Sequence, residues 1–330
     1  MFPLRSSARR RLATVLFAIS ASVSLPAQHR PKRAVLEGAL GKLETNLSYG
    51  PNRRNVLDLY RPKSDKRTPV VVFFHGGGFR SGDKSVLLYW FTPLITELLR
   101  HGVSVVSANY RFLAAVELEG VLADCARVVQ FLRHDAAKLG LDPARIAAFG
   151  VSAGAGISLW LATRDDRADA TSKDPIARES TRICAAGVLS GQCTYDLRRW
   201  NDLVGPPPPL IARYFKGQVA RLGRRCGGLD TPEARAIIKE VDLLGWLSKD
   251  DPPLFLFASW RRRKVPAKTY DQYMHHPRHA LVLRDRCKQL GVACELLLDA
   301  DHPTEASPGV QRRLIDFLLR RLKPKVPYDR

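Results

Sequence analysis

The sequence predicts an α/β fold: a mostly parallel, doubly wound sheet flanked by helices, with a helical cap insertion. Three observations carry this. Short continuous apolar runs, of the kind that strands buried on both faces require, recur along the chain. Amphipathic stretches alternate with them at a βαβ rhythm. One glycine-bounded serine also sits between such a run and a helix. At 330 residues and 45% hydrophobic, the chain is long enough to bury one large core.

Taken in order, Val56–Tyr60 is a short strand that stops at Arg61-Pro62, and Val70–Phe74 is a buried strand of β-branched and aromatic residues. A third strand runs from Gly102 to Asn109. Val121–Leu139 carries apolar residues at helical spacing (Val121, Leu122, Cys125, Val128, Val129, Leu132), which predicts a helix with one buried face. Asp142-Pro143 opens the next unit, with a strand over Arg145–Phe149 and a helix through Ile157–Ala162. Ala185–Leu189, Leu254–Ala258 and Cys294–Leu298 are further strands, and Val310–Leu322 closes as an amphipathic helix. The roughly 60 residues between the strands near Leu189 and Leu254 are too many for a structureless loop. They hold helical patches at Leu210–Phe215 and Glu233–Leu247, so residues 195–250 are expected to form an inserted cap.

The first 27 residues read as an export signal rather than as part of the fold. Arg5, Arg9, Arg10 and Arg11 precede an apolar run from Leu12 to Val23, and Ala27 offers a small residue for cleavage before Gln28. The run is shorter than the roughly 20 residues that span a bilayer, so the mature chain, residues 28–330, is expected outside the cytoplasm with no membrane span. Loss of four Arg leaves a net charge of +21 − 4 = +17. The basic clusters lack the interleaved aromatic residues or the reader motif that a nucleic-acid partner requires, so none is expected. The six cysteines show no zinc-ligand spacing, and sequence does not choose a pairing among them.

Gly150-Val151-Ser152-Ala153-Gly154 falls at the end of a strand and the start of a helix. So tight a turn needs small flanking residues, and it leaves the serine exposed and strained where helix N–H groups favour a developing anion. Ser152 is therefore the candidate nucleophile. His75-Gly76-Gly77-Gly78 follows the Val70–Phe74 strand. Its N–H groups, those of Gly77 and Gly78 together with that of Ala153, are candidate oxyanion-hole donors for a tetrahedral acyl intermediate. His75 itself reads as structural. No Lys-Ser/Thr follows these glycines, so a phosphate cradle is excluded.

These two motifs resemble those of α/β-hydrolase carboxylesterases, in the hormone-sensitive-lipase-like and feruloyl-esterase-like branches. The resemblance extends to Leu57-Asp58-Leu59-Tyr60-Arg61-Pro62, Gly82-Asp83-Lys84, Asn109-Tyr110-Arg111 and Asp142-Pro143-Ala144-Arg145-Ile146, and it covers about Tyr49 to Lys323. Val151 stands where the lipase branch usually carries Asp. The resemblance implies a Ser–acid–His order and hydrolysis of small or carbohydrate-linked esters without metal or cofactor. It places the general base on the loop after the last strand, at His302 in Asp299-Ala300-Asp301-His302-Pro303. The acid usually follows the strand Leu254–Ala258, where this chain has Ser259-Trp260-Arg261-Arg262-Arg263-Lys264 and no carboxylate. Asp271 is the next acid on that connection and the first choice. Asp196 is the rival, with Asp299 and Asp301 behind. The missing acid keeps open a second class, a degenerate hydrolase fold that binds a ligand with little turnover. His275, His276 and His279 do not read as a metal set, because Pro277 interrupts the helical i, i+4 pair.

Overall fold

Runs of Val, Phe, Ala and Leu with no polar face have one stable home, the centre of a sheet covered on both sides. The computed structural model describes residues 41–301 and 304–323. Within them the strands β1 (Gly41–Ser48), β2 (Val56–Pro62), β3 (Thr68–Phe74), β4 (Ser104–Ala108), β5 (Leu141–Val151), β6 (Ala186–Leu189), β7 (Leu254–Ser259) and β8 (Cys294–Asp299) form one sheet. Its order is β1-β2-β4-β3-β5-β6-β7-β8. β1 and β2 are antiparallel to their neighbours, and the pairings from β4 through β8 are parallel. β1 (Gly-Lys-Leu-Glu-Thr-Asn-Leu-Ser) was not anticipated, because an exposed edge strand of this composition lacks an apolar run.

The helices are α1 (Val86–Trp90), α2 (Thr92–Arg100), α3 (Leu118–His134), α4 (Ala136–Leu139), α5 (Ala153–Thr163), α6 (Trp200–Val204), α7 (Pro209–Cys226), α8 (Pro232–Glu240), α9 (Leu243–Trp246), α10 (Tyr270–Met274), α11 (Arg278–Leu290) and α12 (Pro308–Leu322). One face of the sheet packs on α3, α5 and α11 through residues such as Val72, Val129, Trp160 and Leu283. The other packs on α2 and α12 through Phe73, Leu98, Phe149 and Phe317. None of the helices among the described residues is long and apolar enough to cross a membrane. The expected signal segment, residues 1–27, lies outside the described residues.

The sheet order reverses between β3 and β5, and in open α/β sheets the crevice at such a switch point is where ligands bind. The His75 loop leaves β3 there and Ser152 leaves β5. The 195–250 segment forms α6 to α9. It carries a small core of its own, Trp200, Val204, Ile211 and Phe215, closed by Ala267 and Tyr273 from the β7–α11 connection.

Candidate active site

Ser152 occupies the turn from β5 into α5 with φ 55° and ψ −115°, a region that L-residues adopt only under constraint. The constraint comes from close packing. A Cβ on Gly154 would lie 1.9 Å from the Phe74 carbonyl oxygen, and one on Gly150 would lie 2.3 Å from the Gly154 carbonyl carbon. The Ser152 N–H donates to the Leu189 carbonyl at 3.0 Å, which ties the turn to β6.

The glycine loop lies directly alongside. A Cβ on Gly76 would meet the Val151 oxygen at 2.9 Å and the Ser152 Cβ at 3.5 Å, so only glycine lets the loop come this close. Gly77 and Gly78 follow with φ of 104° and 60°. The motifs flanking the loop form its frame. The Lys84 ammonium donates to both Asp58 oxygens at 2.7 Å, and the Lys84 N–H donates to Asn109 Oδ1 at 2.7 Å. Asn109 in turn donates to Asp83 at 2.8 Å, and Arg54 donates to the Tyr110 carbonyl at 2.8 Å. His75 is fully buried, stacked on Tyr110 at 4.3 Å, with Nδ1 donating to the Gly76 carbonyl at 2.7 Å. Burial pulls its pKa down to about 4, so it stays neutral and structural.

His279 is likewise buried, and its pKa falls to about 3 chiefly through that burial. Both imidazoles protonate less readily folded than unfolded, where the ordinary value is about 6.5. Between that value and their depressed ones the unfolded chain binds more protons, so folding stability is full above about pH 6.5 and declines as pH falls toward 4. Denaturant midpoints measured at pH 7.5, 6 and 4.5 are expected to drop in that order.

The imidazole placed against the Ser152 hydroxyl is that of His275. The Ser152 hydroxyl donates to His275 Nε2 at 2.8 Å, and His275 Nδ1–H donates to Asp271 Oδ1 at 2.9 Å. Asp271 and His275 stand four residues apart, on α10 and at its C-cap, and so share one helix face. Thr269 caps the helix by accepting from the Gln272 N–H. The segment between β6 and β7 holds α10 in place: Tyr273 is buried against Trp200 and Phe215 and donates to the Gly205 carbonyl at 3.0 Å. Gln192 donates to the Met274 carbonyl at 2.9 Å. The hydrogen bond from His275, helped by the Arg262 guanidinium, lowers the Asp271 pKa to about 2, so Asp271 is a carboxylate at any working pH.

The sequence reading put the base at His302, which lies outside the described residues. The histidine hydrogen-bonded to Ser152 among the described residues is His275, which in sequence reads only as a rejected metal ligand. The signal that would have found it is Asp271-x-x-x-His275 directly after a Thr N-cap. Asp271 does meet an imidazole Nδ1, but on its own helix rather than across the sheet edge. Asp196 is buried and bonded to Arg198 at 2.8 and 2.7 Å, and Asp299 accepts from the Asp301 N–H at 2.6 Å. Among the described residues no three His, Cys, Asp or Glu side chains gather as a metal set.

A family model described as BD-FAE matches residues 57–274 of the chain. A probable isoprenylcysteine alpha-carbonyl methylesterase of Arabidopsis thaliana, ICMEL2, is 35% identical over 118 residues, 36% of this chain and 27% of its own length. The esterase LipQ of Mycobacterium tuberculosis is 24% identical over 227 residues, 68% of this chain and 50% of its own. The chain thus spans half or less of the length of these curated relatives. Among solved structures, a truncated carbohydrate esterase from gut microbiota superposes with a TM-score of 0.66 at 16% identity, covering 87% of this chain and 98% of that one. The butyrate-bound esterase Est2 of Thermogutta terrifontis superposes with a TM-score of 0.61 at 21% identity, covering 87% and 96%. At these identities the likeness is one of fold, and the fold is that of the α/β-hydrolases.

Proposed function

Because the chain belongs to the BD-FAE family, we propose that it is a serine esterase that hydrolyses short acyl esters, including carbohydrate-linked ones, through Ser152, His275 and Asp271. The observation that carries this reading is the unbroken hydrogen-bond line from the Ser152 hydroxyl through both nitrogens of His275 to Asp271, with distances of 2.8 and 2.9 Å. With Nδ1–H committed to a carboxylate, Nε2 is the basic nitrogen and faces the nucleophile.

The steps follow from that arrangement. As Ser152 Oγ attacks the acyl carbon, its proton passes to His275 Nε2, and Asp271 stabilises the imidazolium that forms. The tetrahedral oxyanion is received by the N–H groups of Gly77, Gly78 and Ala153, the last at the N-terminus of α5. The imidazolium returns its proton to the leaving alcohol, which leaves an acyl-serine. Water then attacks with His275 again as base and releases the acid. None of these residues calls on a metal or cofactor.

The relatives named as a methylesterase and a carbohydrate esterase support a small or sugar alcohol on the leaving side. Arg80, on the glycine loop, donates to the exposed Tyr214 phenol of α7 at 2.7 Å, and Tyr270 is exposed beside Asp271. The test is a panel of p-nitrophenyl and acetylated-sugar esters of increasing acyl length, given to the purified protein. Turnover is expected to be highest at two to four acyl carbons. Stoichiometric ligand binding without turnover across the panel would instead establish the degenerate-fold alternative.

A further inference from the structure

Asp271 is a poorly sheltered residue for its role, since its side chain is 60% exposed and its helix is only five residues long. What fixes it is Arg262, in the basic run that occupies the usual place of the acid after β7. Arg262 Nε donates to Asp271 Oδ2 at 3.0 Å, while Asp271 Oδ1 is taken by His275. Arg262 Nη1 donates to Glu305 Oε1 at 3.3 Å. The Glu305 carboxylate is itself buried and accepts the hydroxyl of Ser190, and the Ser190 N–H donates to the Phe257 carbonyl of β7 at 2.8 Å.

Resting on the triad reading above, we infer that Arg262 is a positioning residue: its guanidinium forks between Glu305 and Asp271 and transmits the rigidity of the sheet edge to the triad acid. An exposed ion pair alone is worth little. This one is anchored on a buried carboxylate and uses two nitrogens of one planar group, a geometry that Lys cannot copy. Arg262 touches neither substrate nor the reacting atoms. It acts by keeping Asp271 aimed at His275 Nδ1, so its loss should lower kcat while leaving substrate binding nearly intact.

The test sets Arg262→Ala beside Asp271→Asn, the double variant, Arg262→Lys and Glu305→Gln, with melting temperature recorded for each. Arg262→Ala is expected to lose about 10- to 100-fold in kcat with KM within about threefold. On the Asp271→Asn background the same change should cost less than about threefold, because the group it positions is already gone. Millimolar guanidinium should restore part of the Arg262→Ala rate and none of the double variant's. Arg262→Lys and Glu305→Gln should fall between wild type and Arg262→Ala, and they carry the test if Arg262→Ala does not fold. A wild-type kcat in folded Arg262→Ala, or an equal loss on both backgrounds, overturns the inference while leaving the triad standing. A wild-type kcat in Asp271→Asn overturns the triad reading itself, and this inference with it.

Discussion

Ser152→Ala is expected to lose about 10⁶-fold in kcat, the scale on which removal of a triad nucleophile acts. The size follows from what is lost. In the proposed mechanism the hydroxyl oxygen is the only protein atom that becomes bonded to the acyl carbon, and the strained turn holds it against His275. A Cβ remains after substitution, so the packing of Gly76, Gly150 and Gly154 around the turn is unchanged. The buried His75–Tyr110 frame is untouched as well. The variant should therefore fold with a wild-type melting temperature and keep its affinity for a product acid. The residual rate, about 10³- to 10⁴-fold over water, comes from the oxyanion donors and binding. Steady-state rates on p-nitrophenyl acetate, with thermal melts as control, check it.

His275→Gln is expected to cost a similar factor, about 10⁶-fold. The amide can still occupy the space between Ser152 and Asp271, but it takes no proton, so the hydroxyl stays unactivated. His302→Gln is expected to stay within about threefold of wild type, since the nucleophile's acceptor is already supplied by His275. The pair matters more than either variant alone. Both remove an imidazole from the C-terminal part of the chain, so a difference between them is specific to the residue that touches Ser152.

What was legible in sequence is what is local. The turn bearing Ser152 needs small residues within two positions of it, and the glycine loop needs its glycines in a row, so both are written in consecutive letters. Buried parallel strands are written as apolar runs, and those at Val70–Phe74 and Leu254–Ala258 appear as β3 and β7. The imidazole partner of Ser152 was not legible in the same way. His275 reaches Ser152 across 123 residues, and it does so because α10 packs its Tyr273 on Trp200 and Phe215 from an insertion far back in the chain. The resemblance places the base after the last strand, at His302, and the His275, His276 and His279 group, interrupted by Pro277, reads in sequence only as a rejected metal set. The i, i+4 spacing of Asp271 and His275 was present all along. The basic run after β7 misled for a related reason. Read alone it denies an acid, whereas in three dimensions Arg262 is hydrogen-bonded to Asp271, nine residues on.

If Ser152 is activated by His275, the rate of covalent labelling by a fluorophosphonate reads both residues in one measurement. Labelling requires the nucleophile to be deprotonated as it attacks phosphorus, so it depends on the base as ester cleavage does. Peptide mass spectrometry is expected to find one adduct, on Ser152, in wild type, in His302→Gln and, on long exposure, in His275→Gln. The second-order labelling rates of wild type and His302→Gln should agree, while that of His275→Gln should fall by at least about 10³-fold. Labelling of His275→Gln at the wild-type rate would show that His275 is not the base, and an adduct on any other residue that Ser152 is not the nucleophile.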